Sequence, residues 1–224
     1  MGLDNLPEAY AKGQVNFLGA QIDLTNRPFI PREETEFWVE KAIKEIKVFS
    51  KKTIRCLDVF AGSGCIGIAI LKNVKNTICD FVEIDNNFLR QIEINLNLNK
   101  IDKNRYQIIQ SDIFSNVNGK YNFILANPPY VAEERIQELG EDVRKYEPGI
   151  ALLGGKQGMD FIKIFLEEAF LCLENKGVGY IEIDPQQKEL IKSEMDILVK
   201  NKNYSNYEFW KDQFGRIRVL RIIK

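Results

Sequence analysis

Beyond residue 50 the chain alternates short apolar runs, rich in β-branched residues, with longer segments of helical period, the pattern of stacked βαβ units. The runs predict strands over Ile54–Phe60, Ile78–Ile84, Tyr106–Ser111, Tyr121–Ala126 and Val178–Asp184. Between them the periodicity predicts helices over Cys65–Lys72, Asn87–Asn99, Met159–Glu174 and Gln187–Lys200. A mostly parallel sheet with helices on both faces follows.

The two ends of the chain depart from this alternation. Tyr204–Trp210 and Ile217–Ile223 are strand-like runs joined by a polar, glycine-containing turn, Lys211 to Arg216, and predict an antiparallel hairpin that closes the sheet. Ahead of the core, Gln14–Leu24 reads as a second small hairpin. Pro31 is expected to begin a helix, because proline suits a first helical position and Glu33, Glu34 and Glu36 suit a helix amino terminus. The expected layout is a short extension over residues 1–30 and one main domain over residues 31–224.

Composition narrows what such a fold can do. With 224 residues, 45% of them hydrophobic, the chain can bury one full-sized core. A net charge of -1 signals no phosphate backbone as partner. Cys56, Cys65, Cys79 and Cys172 form no C-x-x-C pair, so no metal site is expected and the thiols read as core residues of a reducing compartment. Histidine is absent, which removes the commonest general base and every Ser-His or Cys-His nucleophile. No signal peptide or membrane-length apolar run is apparent, so a soluble, cytoplasmic protein is expected.

Candidate chemistry falls into two parts. In the first, Asp58 leads through Val59 into Phe60-Ala61-Gly62-Ser63-Gly64, a strand running into a small-residue turn ahead of a helix. Such a turn lets a ligand approach the backbone, and Gly62, Gly64 and Gly67 complete a G-x-G-x-x-G spacing. Glu83, about twenty residues on at the end of the second strand, suits ribose hydroxyls. Asp112 offers another acceptor past the third strand, with Ile113 beside it to pack on a flat base. The bland alternative is that Asp58, Glu83 and Asp112 merely cap turns. A ribose-bearing cofactor is implied, either a nicotinamide dinucleotide or S-adenosylmethionine.

In the second part, Asn127-Pro128-Pro129-Tyr130 directly follows the fourth strand, at the edge where open α/β sheets bind ligands. An amide or arylamine nitrogen is planar and weakly nucleophilic, and two acceptors on its N–H bonds would orient it. The Asn127 side-chain carbonyl and the Pro128 main-chain carbonyl can supply them. Neither Pro128 nor Pro129 has an N–H to compete, and Tyr130 can cover the planar group. Transfer to such a nitrogen from a sulfonium needs positioning more than a strong base, which accords with the missing histidine.

These segments and their neighbours resemble the HemK/PrmC-type protein-glutamine methyltransferases. The resemblance rests on Ile30-Pro31-Arg32-Glu33-Glu34-Thr35-Glu36, then Asn127 to Tyr130, then Val143 to Pro148 with Ala151-Leu152 and Gly154-Gly155, and finally Gly215-Arg216 with Arg218-Val219. It implies a class I, Rossmann-like S-adenosylmethionine-dependent methyltransferase domain over residues 31–224. The implied activity is methylation of the glutamine amide in a Gly-Gly-Gln segment of a peptide-chain release factor; from charge and the lack of long apolar runs no direct nucleic-acid or membrane partner is expected, and a monomer is the default. It makes Phe60 to Gly64 the loop around the methionine moiety and Glu83 the ribose carboxylate. Asp112 and Ile113 fall near adenine, Asn127 touches both cofactor and substrate, and Pro31, Arg32 and Glu147 shape a wall of the site.

Two departures carry expectations. The family usually has glycine where this chain has Phe60, so the phenyl ring is expected to turn away from the ligand. The family also typically carries a helical amino-terminal domain that helps dock the release factor, and the residues ahead of Pro31 are expected to lack it. Methylation of an exocyclic amino group of adenine or cytosine is the alternative, since it offers the same planar N–H geometry. A cofactor-binding module without the reaction, or a nicotinamide oxidoreductase, would use the first part alone.

Overall fold

The computed structural model describes residues 6–224; residues 1–5 of the expected extension lie outside them. A short helix, α1 (Glu8–Lys12), leads into an antiparallel hairpin, β1 (Gln14–Phe17) and β2 (Ala20–Asp23), and then the long helix α2 (Glu33–Val48). The alternating region follows as β3 (Ile54–Val59), α3 (Cys65–Asn73), β4 (Thr77–Glu83), α4 (Asn86–Leu98), β5 (Tyr106–Gln110) and β6 (Tyr121–Ala126). After a segment of short turns containing α5 (Glu141–Tyr146) come α6 (Asp160–Cys172), β7 (Leu173–Glu182), α7 (Lys188–Lys200), β8 (Asn206–Lys211) and β9 (Ile217–Ile223).

The seven strands β3 to β9 form one sheet in the order β5-β4-β3-β6-β7-β9-β8. The first five are parallel, and β9 enters antiparallel between β7 and β8. Strand alternation splits the core into two layers. Cys56, Phe123 and Tyr180 face α2, α3, α4 and the hairpin residues Phe17 and Ile22. Leu57, Ile124 and Ile181 face Ile162 and Phe165 of α6 and Ile191 and Met195 of α7. All four cysteines are buried and unpaired.

Three elements differ from the expectations. Pro31 stands outside α2, because Arg32 caps the helix in an extended conformation (φ -99°, ψ 154°). The chain there is held straight by Glu147, which accepts from the Ile30 N–H and pairs with Arg32. Strand β7 begins at Leu173, five residues early, because α6 passes directly into it; the polar Glu174 to Lys176 hides the change and sits at a register shift against β6. Helix α1 gives no periodic signal at its length, and Tyr10 anchors it by donating to the Pro28 carbonyl at 2.7 Å. Among the described residues no helix is long and apolar enough to cross a membrane.

Candidate active site

A cavity of about 480 Å³ opens at the carboxyl ends of β3, β4 and β6. It is lined by Phe60, Ala61, Gly62 and Ser63 from the first loop, by Glu83, Asp112 and Ile113, and by Asn127, Pro128, Pro129 and Tyr130. Both parts of the expected chemistry therefore meet in one space. Pro31 and Arg32 also line it, and Glu147, only 6% exposed, braces Arg32 from behind. Glu147 is thus a buried brace of the wall rather than a solvated turn residue.

Asp58 and Gly64, expected among the ligand contacts, are not part of the lining. Asp58 lies beneath the loop, where one carboxylate oxygen accepts from the Gly67 N–H at 2.8 Å and the other has no partner. Gly64 caps α3. Gly67 is fixed by packing: a Cβ there would stand 2.3 Å from the Phe81 ring, so the helix can approach the sheet only without one.

Burial, opposed by the Gly67 N–H and reinforced by the charge of Glu83, pushes the Asp58 carboxyl up to about 8. The folded protein therefore keeps a proton that the unfolded chain releases near the ordinary value of 3.8, and stability from this group is lost as pH rises through that window. Asp58→Asn keeps an acceptor for Gly67 and cannot titrate. Its unfolding free energy is expected to fall less between pH 5 and pH 8 than that of the wild type, by up to about 1.4 kcal/mol per pH unit. Parallel pH profiles in denaturant titrations would refute this.

Glu83 sits at the rim with one oxygen accepting from the Gly62 N–H at 2.9 Å and the other from Ile84 and Asp85. Burial raises its carboxyl above the ordinary range, against these three N–H groups. Phe60 and Ile113 both adopt left-handed backbone, at φ 59° and 46°. Such conformations cost on the order of 1–3 kcal/mol each in residues other than glycine, and they gather at functional sites. The φ of Phe60 is a reason for glycine to be usual there. Its ring meets the cavity-lining Phe161 edge-on at 5.7 Å.

The Asn127–Tyr130 segment is held from three sides. Val131 pairs with Leu153 and exchanges backbone bonds with Leu152 and Gly154. Gln187 donates to the Tyr130 carbonyl at 3.0 Å and the Gly158 carbonyl at 2.9 Å. From within, the Tyr130 hydroxyl donates to Glu182 at 3.0 Å. Burial, with the neighbouring Glu182 charge, raises the Tyr130 phenol well above its usual value, so it stays a donor. Glu182, Thr35 and Arg218 all line the cavity; Glu182 was not singled out from the sequence, and Thr35 and Arg218 stood there only within motifs, with no role in the site. Glu182 closes β7 as Glu83 closes β4, so the strand-end carboxylate signal was present. Arg218 is oriented by Asp212, whose carboxylate also accepts from Phe214 and Arg216; this organises the Gly215-Arg216 turn.

The strand order and the cavity over the central strands are those of the class I S-adenosylmethionine-dependent methyltransferases. Residues 42–143 match the family model for the methyltransferase small domain. The chain is 33% identical over 189 residues to the release factor glutamine methyltransferase of Chlamydia trachomatis, covering 84% of this chain and 64% of that one. It is 32% identical over 220 residues to that of Flavobacterium psychrophilum, covering 96% and 75%. Among solved structures it is similar to the T. thermophilus 16S rRNA N2 G1207 methyltransferase in complex with AdoMet and guanosine. That likeness has a TM-score of 0.61 at 16% identity, over 94% of this chain and 49% of the other. The chain belongs to the release factor glutamine methyltransferase family. It spans about two thirds of the length of the C. trachomatis relative.

Proposed function

We propose that the protein transfers a methyl group from S-adenosylmethionine to the side-chain amide nitrogen of a glutamine in the Gly-Gly-Gln segment of a peptide-chain release factor. The observation that carries this reading is the placement of Asn127 to Tyr130 in the same cavity as Gly62 and Glu83. The named activity of relatives that match nearly the whole chain supports it. In this reading residues 31–224 are the catalytic domain. Residues 1–30 are an extension, and its described part shares the core of the domain, since Phe17, Ala20, Ile22 and Leu24 are buried. The reaction is assigned to the cytoplasm and to a monomer acting on a protein, and a net charge of -1 favours a protein over a nucleic acid.

The residues present fit the cofactor. Carboxylates of Glu83 and Asp112 suit hydroxyl and amino groups, apolar Ile84, Phe88 and Ile113 suit a flat base, and the small Ala61-Gly62-Ser63 loop admits a close ligand. S-adenosylmethionine, when bound, supplies a methyl group on a sulfonium that is already activated for transfer. Asn127 Oδ1 and the Pro128 carbonyl accept the two amide hydrogens of glutamine and hold its nitrogen in place. Tyr130, anchored through its hydroxyl, covers the planar amide and keeps water out. The alkylated nitrogen is acidic and releases its proton without a dedicated base.

Mass spectrometry of a release factor incubated with protein and cofactor tests the reading. A gain of one methyl group on the Gly-Gly-Gln glutamine is expected; an unmodified glutamine while cofactor is bound would reject it. Glu83→Ala is expected to weaken cofactor binding about tenfold or more in calorimetry, since one charge-assisted contact is lost. A change confined to kcat at saturating cofactor would show that Glu83 does not hold the ribose.

A further inference from the structure

The amide of Asn127 can act as the clamp described above only if its oxygen, rather than its nitrogen, faces the substrate. Side-chain amides are nearly symmetric in shape, so something must select the orientation. A chain of hydrogen bonds behind the cavity does so. Trp38 Nε1, which can only donate, reaches Glu182 Oε2 at 2.8 Å and makes that oxygen an acceptor. Thr35 Oγ1 lies 2.7 Å from the same oxygen, so its single proton is spent on Glu182. The Thr35 oxygen is then left as an acceptor, and Asn127 Nδ2 donates to it at 3.4 Å. With Nδ2 turned to Thr35, Oδ1 is the end of the amide left for the cavity.

We propose that Thr35 and Glu182 are positioning residues that set the amide orientation of Asn127, and hence the acceptor presented to the glutamine N–H. This rests on the glutamine clamp reading. Glu182 serves two members of the clamp at once, because its Oε1 takes the Tyr130 hydroxyl while its Oε2 acts through Thr35. Both residues are almost fully buried, Glu182 at 1% exposure and Thr35 at 1%. Thr35 lies on the first turn of α2 and Asn127 at the end of β6, and only the fold brings the two together.

Thr35→Val keeps the shape and removes the hydroxyl, Thr35→Ser keeps the hydroxyl, and Glu182→Gln places a donor where an acceptor stood. Each full-length variant is assayed on a Gly-Gly-Gln release factor, with binding of S-adenosylhomocysteine measured by calorimetry. Thr35→Val and Glu182→Gln are expected to lower kcat about tenfold to a hundredfold, as loss of an orienting partner does. Binding of S-adenosylhomocysteine should stay within about twofold, and Thr35→Ser should recover most of the rate. Thr35→Val at the wild-type rate, or Thr35→Ser as slow as Thr35→Val, would overturn the proposal while leaving the glutamine reading intact. A wild-type protein that binds the cofactor product and leaves every Gly-Gly-Gln substrate unmodified would overturn both. Should Glu182→Gln fail to fold, the two Thr35 variants decide the question.

Discussion

Asn127→Ala is expected to reduce kcat for release factor methylation by about a hundredfold to a thousandfold, the range seen when one preorganised contact at a developing charge is removed. Asn127 lines the cavity, is half-buried, and uses its Nδ2 on Thr35, which leaves one oxygen for the substrate. The backbone around it does not depend on that side chain: Val131, Leu152 and Gly154 hold the segment through main-chain bonds. Loss of rate should therefore come without loss of fold. The check is a pair of measurements, single-turnover methylation and thermal unfolding. A variant with wild-type turnover would remove Asn127 from the chemistry.

Gly158→Ala is expected to act in the opposite way, on structure first. Gly158 sits at φ 68°, and a Cβ there would fall 2.0 Å from the Tyr130 carbonyl oxygen and 2.5 Å from Gln187 Nε2. Both atoms belong to the bracing that holds the Asn127–Tyr130 segment, so neither can yield without moving the segment. The combined strain of backbone and contact is about 2 kcal/mol or more. Denaturant titration should show that drop, and methylation should fall with it. Cofactor binding should persist, because the first loop and Glu83 are held by different bonds. An unchanged unfolding midpoint with full activity would mean that the strap over Tyr130 is far softer than its contacts indicate.

The sheet was legible because its strands carry their own signal. Ile54 to Val59 and Tyr121 to Ala126 carry apolar residues on both faces, interrupted only by Arg55, Asp58 and Asn122, as suits buried parallel strands, and each leads into chemistry-bearing residues. The Gly62 loop and the Asn127 tetrapeptide were legible for the same reason: each is contiguous, and its spacing is set by local backbone geometry. The bracing of the site was not. Thr35 lies 147 residues from Glu182, so nothing in the local sequence announces that pair, and Arg32 and Glu147, 115 residues apart, were brought to one wall only by the resemblance. Asp58 shows the reverse failure. Its place at a strand end resembled that of Glu83, but alternation turns its side chain under the loop toward Gly67. The segment between Val131 and Met159 has no hydrophobic period because it consists of short turns laid over the Asn127–Tyr130 backbone rather than packed into a layer.

The position of β9 bears on the order in which the molecule can be assembled. It follows β8 in the chain yet lies inside it in the sheet, so β8 has no partner until β9 has been made. Until then the edge of β7 stays open along Val178 to Glu182, an unpaired row of backbone groups of the kind that invites mispairing. Arg218, on the same strand, is among the last residues to reach the cavity wall. A chain ending before Ile217 would contain the cofactor loop and the Asn127 tetrapeptide and still lack Arg218 at the wall of the site. Completion of this wall and closure of the sheet therefore depend on one and the same strand.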